Sequence, residues 1–502
     1  MHLQLFFLHL YLACQPNWVD EPIVQEFDTA IISSEEDETV PSPPIAVVKA
    51  PQNALVDYSF TLSAENSYDP IGNDLSFIWT CSNGTGARTP SITIQESSEQ
   101  RLTCNVILIS ETTGLSTESS VTVNIFRPSD MAEWTLLIYI AGDNNLEESG
   151  IIDINEMEMV GSSKDINIIV EIDRSSRYYT GHNNWSGARR YYITEGFEDT
   201  IDSVLLEDLG PSDSGSTETF VDFFTWGATS FPSEKVALIF WNHGWSWSLT
   251  QGTQSTKGIM DDEGTGNDLS VAEGELASIL EAFTLETNQT IDLVGMDACT
   301  MMSWEVATEI APWADTFVAS QDYVSWDGWN YHDALRDLQD DPTMNSLSLG
   351  EAIATRFWQT GDLSISILDL NQLNSFNTAF DNFANSILSE QPSFDIYAAA
   401  RQSYSYDGSN YGIDHDLHGI IQGISEQVDN ASIESQAQAT IDALDVLIYQ
   451  NYTQEYLEGA NGLSIYSPPN SDEELDASYL NARWSQNHLW DELLIYATDT
   501  NQ

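Results

Sequence analysis

Two short apolar runs that stop abruptly at reactive residues constrain the fold of this chain more than any other feature. One run begins at Val236 and leads to His243, and the other begins at Ile291 and leads to Cys299. Such runs predict buried parallel strands, and open α/β sheets place their sites at the carboxyl ends of these strands. Two such strands can bring an imidazole beside a thiol. That pair is the minimum requirement for nucleophilic catalysis by cysteine, because an imidazole favours the reactive thiolate.

The sequence around these runs alternates between strand and helix patterns. Further apolar runs predict strands at residues 134–141, 166–173, 190–193, 316–320 and 364–369. Between the two reactive residues, Ser270 and Glu273 form a capping box that predicts a helix to about Phe283. The alternation indicates an α/β domain over residues 131–496, with a largely parallel sheet flanked by helices.

A different pattern precedes this domain. From residue 43 to residue 127, short β-rich runs alternate with turn clusters, which predicts a small all-β sandwich of the immunoglobulin-like type. Residues 64–70, followed by Gly72, Asp74 and Trp79, resemble the PKD (polycystic kidney disease) type of extracellular module. Such modules act as spacers or weak binders, so the resemblance implies a structural role.

The N-terminus has the character of an export signal. Residues 1–14 are mostly apolar, are too short to span a bilayer as a helix, and end in Ala13 and Cys14. A small residue before such a cysteine resembles a bacterial lipoprotein signal, which implies lipidation of Cys14; simple secretion and a misassigned start codon are the alternatives. Residues 15–42 are acidic and lack apolar periodicity, so we interpret them as a solvated tether.

The four cysteines separate by role if the chain is exported. Cys81 and Cys104 can then pair oxidatively within the small β domain, and Cys14 can carry the lipid. Cys299 alone is left without an anchoring or cross-linking role, which favours a catalytic one.

The acidic balance of the chain excludes some partners. The 79 acidic and 15 basic residues give a net charge of -64. Nucleic acids and anionic lipids demand a basic surface, so neither is expected as a partner. No later stretch is long and apolar enough for a transmembrane helix, and membrane contact is expected only through a lipid at the N-terminus. We expect a monomer located in the cell envelope or outside the cell.

Seven short segments recur in the order seen in clostripain-like cysteine peptidases. They are residues 134–143, 242–244, 295–299, 319–322, 328–329, 364–369 and 460–466. The resemblance covers roughly residues 134–494. It implies a caspase-like α/β fold and hydrolysis of peptide bonds in proteins or peptides by a Cys/His pair, without a required cofactor.

The resemblance also implies a role for each matching residue. Cys299 would be the nucleophile, and His243 would protonate the leaving amine. The backbone N–H groups of Gly244 and Cys299 would stabilise the oxyanion, provided that they are fixed beforehand. The alternative is structural: His243 could be a packed strand-end histidine and Cys299 a buried inert thiol.

In this family, acidic side chains beside the nucleophile imply cleavage after Arg or Lys, since a guanidinium or ammonium group pairs well with partly buried carboxylates. Asp297 matches one such position, and Asp327 is a candidate for a second. Asp322 competes with Asp327 for that role. In so acidic a chain, solvated surface is the alternative for each of them.

Some family members cut themselves between the histidine and cysteine motifs. Lys257 is the only basic residue between His243 and Cys299, and its polar, Gly- and Thr-rich flanks predict an accessible loop. We therefore predict self-cleavage between Lys257 and Gly258.

Two polar clusters raise the question of a metal. Residues 261–268 carry oxygen ligands around Gly266, like a calcium loop, but Ala272 stands where an EF-hand has its bidentate Glu. Some relatives require calcium, so a calcium site and a plain acidic loop both stay open. We interpret residues 414–418 as structural or substrate-lining, because their spacing matches no zinc-protease signature.

Two other function classes stay open. A peptidase-like domain without activity could serve surface binding or adhesion, although both His243 and Cys299 are retained. A serine hydrolase is the other alternative, but no Gly-x-Ser-x-Gly motif follows a suitable strand.

Overall fold

The computed structural model describes residues 41–196, 201–247, 258–406, 414–457, 459–467 and 475–500. Cys14 and Lys257 lie outside these residues, as do the signal and nearly all of the tether. The described residues form two compact units. One comprises residues 41–127 with the short segment 194–196, and the other comprises the remainder from Pro128 onward.

The described residues of the N-terminal unit form strands and turns. Its strands are β1 (Asn53–Leu55), β2 (Ser59–Ser63), β3 (Leu75–Cys81), β4 (Gly86–Ala87), β5 (Ser91–Gln95), β6 (Gln100–Ser110) and β7 (Ser116–Phe126). One sheet has the order β1-β7-β6-β3-β4, and β2 pairs with β5. Trp79 is buried with alternate residues of β6, such as Leu102 and Val106, as expected of a sheet with one face in the core. Cys81 and Cys104 lie opposite each other on β3 and β6 and form a disulfide.

The larger unit contains thirteen described strands, of which nine form one sheet, while β13 pairs with β14 and β18 with β20. Its strands are β8 (Ala132–Gly142), β9 (Ile166–Arg174), β10 (Gly187–Tyr192), β11 (Val204–Gly210), β12 (Ser233–Trp241), β13 (Ile259–Asp262), β14 (Asn267–Leu269), β15 (Ile291–Asp297), β16 (Ala314–Ala319), β17 (Ser364–Asp369), β18 (Asp414–Asp416), β19 (Ile448–Thr453) and β20 (Ser464–Tyr466). The sheet order is β11-β10-β9-β8-β12-β15-β16-β17-β19. The five strands from β9 to β16 in this order are parallel, and the strands at both edges are antiparallel.

Helices flank this sheet. They are α1 (Glu147–Glu158), α2 (Thr217–Ser230), α3 (Glu275–Thr287), α4 (Trp304–Ile310), α5 (Tyr331–Asp340), α6 (Ser346–Gln359), α7 (Leu373–Glu390), α8 (Ile396–Gln402), α9 (Leu417–Gln427), α10 (Ala431–Leu447), α11 (Ala477–Asn481), α12 (Arg483–Asn487) and α13 (Trp490–Thr500). The predicted α/β class with a largely parallel sheet is therefore confirmed. Among the described residues, none of the helices combines the length and apolar character needed to cross a membrane.

The parallel strands are buried because helices cover the sheet. Every residue of β9 is buried, including the polar Asn167, Glu171 and Asp173, as expected of a parallel strand that is covered on both faces. In the sheet, β8 lies between β9 and β12, so the direction of strand succession reverses at β8. Open α/β sheets bind their ligands at such a reversal, outside the carboxyl ends of the strands.

The helix predicted between the two reactive residues begins later than its sequence suggests. The Ser270 Oγ accepts the N–H of Glu273 at 3.1 Å, but Glu275 is the residue whose carboxylate reaches back to the N–H of Ser270, at 2.6 Å. A turn over residues 271–274 therefore precedes α3, which begins at Glu275 and ends at Thr287. The prediction of a helix directly after Ser270 was wrong by one turn.

Candidate active site

His243 and Cys299 lie at matching positions beyond two neighbouring strands. β12 and β15 are parallel, and Trp241 is paired with Asp297 at the end of their ladder. His243 lies two residues after Trp241, and Cys299 lies two residues after Asp297. The N–H of Asn242 donates to the carbonyl of Asp297 at 3.3 Å, so the register continues beyond the strands. The structure thus brings the two sequence-predicted residues to the same edge of the sheet.

Gly244 lies directly against the backbone of Cys299. A methyl group on Gly244 would be 2.4 Å from the carbonyl oxygen of Cys299 and 2.7 Å from the Sδ of Met301. Real Cβ atoms do not approach other atoms this closely, so only glycine fits here without a shift of the backbone. The loop that carries His243 and the turn that carries Cys299 are consequently in van der Waals contact.

Cys299 is held in a buried turn. It is 4% exposed, and its Sγ accepts the N–H of Val324 at 3.4 Å. The next residue, Thr300, has a positive φ of 56° and donates its N–H to the carbonyl of Asp322 at 3.0 Å. Asp322 is itself buried, and its Oδ2 accepts the hydroxyl of Tyr404 at 3.2 Å. Asp322 therefore supports the turn that carries Cys299.

Two asparagines contact His243, one at its imidazole and one at its backbone. Its Nε2 lies 2.8 Å from the Oδ1 of Asn145, a half-buried residue just after β8. The backbone N–H of His243 donates to the Oδ1 of Asn242. The carboxyl ends of β8, β12 and β15 therefore each contribute a polar side chain to one place, beside the reversal of strand order.

Two buried carboxylates lie behind this place. Asp297 is 3% exposed, and its Oδ2 accepts the N–H of Trp329 at 3.0 Å and the hydroxyl of Tyr331 at 3.1 Å. Asp153 of α1 is 1% exposed, and its Oδ2 accepts the indole N–H of Trp241 at 2.6 Å. Burial raises the pKa of both carboxyls, and the charge of Asp297 raises the pKa of Asp153 further. Within the described part of the chain, neither acid forms an ion pair with a basic side chain.

Gly328 separates the two acids. Its φ is +59°, and a methyl group on it would lie 3.1 Å from an oxygen of Asp153 and 3.1 Å from an oxygen of Asp297. Asp327, the residue before it, is exposed. Asp362 accepts hydrogen bonds from the N–H and hydroxyl of Ser325, at 3.1 and 2.9 Å. Acidic residues thus extend from the buried Asp153 and Asp297 to Asp327 at the surface.

The acidic hairpin at residues 261–268 is organised by its own backbone. The Oδ1 of Asp262 accepts the N–H groups of Gly264 and Thr265, both at 2.8 Å, and its Oδ2 accepts the N–H of Ser214 at 2.8 Å. These hydrogen bonds hold the hairpin in shape through its own backbone, and the calcium site stays a prediction. No group of three or more His, Cys, Asp or Glu side chains is arranged for a metal within the described part of the chain.

The stretch at residues 414–418 supports the fold. Asp416 is buried and caps α9 through the N–H of Gly419, at 2.7 Å. It also accepts the hydroxyl of Tyr406 at 2.9 Å and the N–H of Asn461 at 2.7 Å. The hydrogen bonds of Asp416 thereby join β18, α9 and the loop before β20.

An aromatic cluster holds the loop of His243 from behind. Trp247 packs against Tyr466, Tyr479 and Trp484, with ring centroids 5.0, 4.7 and 6.0 Å away. Glu305, in the first turn of α4, accepts the N–H of Tyr466 at 3.0 Å and the hydroxyl of Tyr479 at 2.9 Å. The helix after Cys299 and the loop after His243 are therefore tied to the same C-terminal segment.

Glu305 should make stability depend on pH. Its side chain is fully buried, and burial raises its pKa to about 7 from 4.5. The folded state then keeps a proton that the unfolded state loses, so the contribution of Glu305 to stability is full below pH 4.5 and is lost as the pH rises toward 7. We expect Glu305 to contribute about 3 kcal/mol of this loss, measured by urea unfolding across that range.

Two matched variants distinguish the effect of Glu305 on the pH dependence of stability from that of the other acidic residues. Glu305→Gln should remove its part of the pH slope. The same exchange at Glu281, an exposed residue of α3, should leave the slope as in the wild type. An unchanged slope in Glu305→Gln would show that Glu305 is ionised in the folded protein.

The part of the chain that carries this site matches a known family. The profile described as the Clostripain family covers residues 138–496. The chain belongs to the clostripain family. It is therefore a cysteine-type endopeptidase, a hydrolase that acts on peptides or proteins.

Relatives of known sequence and structure agree with this membership. Clostripain from Hathewaya histolytica is 23% identical over 410 residues, which are 70% of this chain and 77% of clostripain. A secreted C11 cysteine protease from Bacteroides thetaiotaomicron, solved with an irreversible peptide inhibitor, has a TM-score of 0.54 and 20% identity, covering 73% of this chain and 99% of that one. An inactive zymogen C11 protease from Parabacteroides distasonis has a TM-score of 0.52 and 21% identity, covering 74% of this chain and 99% of that one. The solved structures establish the fold.

Two residues beside the candidate site, Asn145 and Asp153, were not predicted from the sequence. Asn145 closes a run of polar residues directly after the first strand of the domain, so the strand-end argument used for His243 could have found it. Asp153 lies inside α1 and approaches Asp297 only in the folded chain. No local pattern marks it.

Proposed function

We propose that this clostripain-family endopeptidase is exported and cleaves after Arg or Lys, with Cys299 as nucleophile and His243 as proton donor. The observation that carries the proposal is the close approach of Gly244 to Cys299 at the matching ends of β12 and β15. Two residues of the right chemistry are thereby held together by the rigid centre of the sheet. Preorganisation of this kind is what covalent catalysis requires.

The reaction would proceed in two stages. The Cys299 thiolate attacks the carbonyl carbon of the scissile bond, and the N–H groups of Gly244 and Cys299 stabilise the oxyanion. His243 gives a proton to the leaving amine, the C–N bond breaks, and a thioester remains. Water then attacks the thioester, its proton passes to His243, and the thiolate leaves as the carboxyl product forms.

The acids near Gly328 support a preference for a basic residue on the amino side of the cleaved bond, called P1. Asp153 and Asp297 form a buried pair, and Asp327 is exposed beside it. A cationic side chain entering here would supply the positive charge that the pair lacks among its described partners. We assign Asp297 to the base of the P1 pocket and Asp327 to its rim; the support role of Asp322 makes it the weaker candidate.

Asp327→Asn tests the P1 assignment. We expect kcat/KM to fall about tenfold for a peptide with Arg at P1, because one charge-assisted hydrogen bond is lost. The same peptide with Leu at P1 should be unaffected. Asp340→Asn, on the exposed face of α5, removes the same charge elsewhere and should change neither value. Equal losses for Arg and Leu peptides in Asp327→Asn would refute a role at P1.

Self-cleavage between Lys257 and Gly258 forms part of the proposal. Lys257 is the only basic residue between the two catalytic candidates and lies outside the described residues. Gly258 is buried directly before β13 and donates its N–H to the Oδ2 of Asp268 at 2.8 Å. A nucleophile-dependent cut here would give two fragments of predictable mass. The Cys299→Ala chain should remain intact at this bond.

Export rests on the N-terminal segment and on the relative from Bacteroides thetaiotaomicron, which is a secreted protease. Cys14 is the proposed lipidation site. Incorporation of labelled palmitate into the wild type, and none into Cys14→Ala, would support anchoring, whereas secretion of unlabelled protein would favour a soluble exported form. The proposed PKD-like unit would then act as a spacer.

An inactive binding protein is the second candidate. It is favoured only if the wild type fails to hydrolyse peptides with Arg, Lys or neutral residues at P1. Thiol-dependent hydrolysis of any of them supports the endopeptidase.

A further inference from the structure

Asn145 contacts the catalytic candidate His243 without having a place in the Cys/His pair. Its Oδ1 lies 2.8 Å from the Nε2 of His243. Asn145 follows β8, whereas His243 follows β12, and 98 residues separate them in sequence. The contact therefore depends on the sheet, in which β8 and β12 are parallel neighbours.

The backbone that presents Asn145 is fixed by its neighbour. Asn144 is fully buried, and its Nδ2 donates to the carbonyls of Ala141 and Asp261 and to the Oδ1 of Asn242, at 2.9, 3.0 and 3.0 Å. Its Oδ1 accepts the N–H of Leu146 at 2.8 Å. One side chain thus ties the turn after β8 to the residue that precedes His243. Asn145 is held at a defined distance from the imidazole.

The chemistry of an amide decides what this contact does. The Oδ1 of asparagine only accepts hydrogen bonds, so it selects the imidazole form that carries a proton on Nε2. The other ring nitrogen, Nδ1, is then the one that exchanges protons with Cys299 and the leaving amine. An amide orients the ring without adding a charge, whereas a carboxylate at the same place would raise the imidazole pKa.

We propose that Asn145 is a positioning residue that holds His243 by its Nε2–H and thereby assigns proton transfer to Nδ1. This inference rests on the proposed function of His243 and Cys299. Asn145 would be a third member of the machinery that acts through the histidine. Three acids flank it in sequence: Asp143, whose carboxyl is half-buried, Glu147, which is paired with Arg174 at 2.7 Å, and the exposed Glu148.

The first test is Asn145→Ala. A misdirected imidazole should lower kcat about 10- to 100-fold and leave KM nearly unchanged, because Asn145 does not touch the substrate. The matched control is Asn345→Ala, which removes an amide that accepts a 2.9 Å hydrogen bond at the start of α6. That residue adjoins Met344, whose carbonyl accepts the indole N–H of Trp134 near the amino end of β8. The control should lower stability comparably and keep the wild-type kcat.

The second variant, Asn145→Asp, tests the pH dependence of the rate, which should not change if Asn145 has a purely structural role. The carboxylate can still accept the Nε2–H, so activity should persist. Its charge should raise the imidazole pKa by about one unit or more. Since His243 acts as a proton donor, the alkaline limb of the pH–rate profile should move upward by the same amount.

The outcomes distinguish the two levels of the proposal. An active wild type with inactive Cys299→Ala and wild-type kcat in Asn145→Ala would overturn only the assignment of Asn145. An unmoved alkaline limb in Asn145→Asp would also overturn it. A wild type without thiol-dependent hydrolysis, or an active His243→Ala, would overturn the proposed function itself.

Discussion

Replacing Cys299 by alanine should lower peptide hydrolysis by about 10^4-fold or more, because no other group in the site can form the thioester. The Sγ of Cys299 contacts both the N–H and the carbonyl oxygen of Val324, at 3.4 and 3.9 Å, so stability has to be measured beside activity. Steady-state hydrolysis of a peptide with Arg at P1 gives the activity, and thermal unfolding gives the stability. Both should be measured on the same preparation.

Two comparisons make this result specific to the nucleophile. Cys299→Ser keeps the size of the side chain but provides a much weaker nucleophile, so it should be nearly as inactive as alanine. The fragment pattern on denaturing gels should show an intact chain in both variants. Hydrolysis above one per cent of the wild type in a correctly folded Cys299→Ala would indicate that another residue is the nucleophile.

Replacing Gly244 by alanine should be the second most damaging change. The added methyl group would lie 2.4 Å from the Cys299 carbonyl oxygen, and a carbonyl in the turn of the nucleophile cannot move without displacing Cys299 itself. We expect about 100-fold or greater loss of kcat, since a displaced backbone misplaces both the thiol and the proposed oxyanion donors. We also expect a loss of about 2 kcal/mol in the free energy of unfolding, from overpacking.

Gly423→Ala is the matched control for this prediction. Gly423 lies within α9, where its methyl group would be 3.1 Å from atoms of Ala399, a contact that a small shift relieves. Better helix propensity should offset that contact, so stability and kcat should both stay near the wild type. If Gly244→Ala were as active as this control, the loop of His243 would have to be more adaptable than the close contact implies.

The centre of the site could be predicted from sequence because its information is local. An apolar run that ends at a histidine or cysteine is visible within nine residues, and β12 and β15 lie where those runs predict them. The edges could not be predicted in this way. β10 and β17 are nearly as buried as the central strands, yet they pair antiparallel, because the direction of a strand depends on the connection before it.

The contacts that refine the site arise only on folding. Asn145 reaches His243 across two strands, and Asp153 meets Asp297 across Gly328, so neither contact has a sequence signature at short range. The composition of the chain also does not predict which acidic residues are buried. In a chain with 79 acidic residues, the few that are buried are indistinguishable from the solvated majority until burial is known.

The pairing of β12 with β15 has a consequence for a chain cut after Lys257. The cut would separate the polypeptide that contains His243 from the one that contains Cys299, yet five consecutive residue pairs of these strands join the two pieces in the middle of the sheet. A processed molecule would therefore persist as a two-chain enzyme joined through the sheet. It would migrate as two bands in detergent and as one species in a native sizing column, and neither piece alone could rebuild the centre.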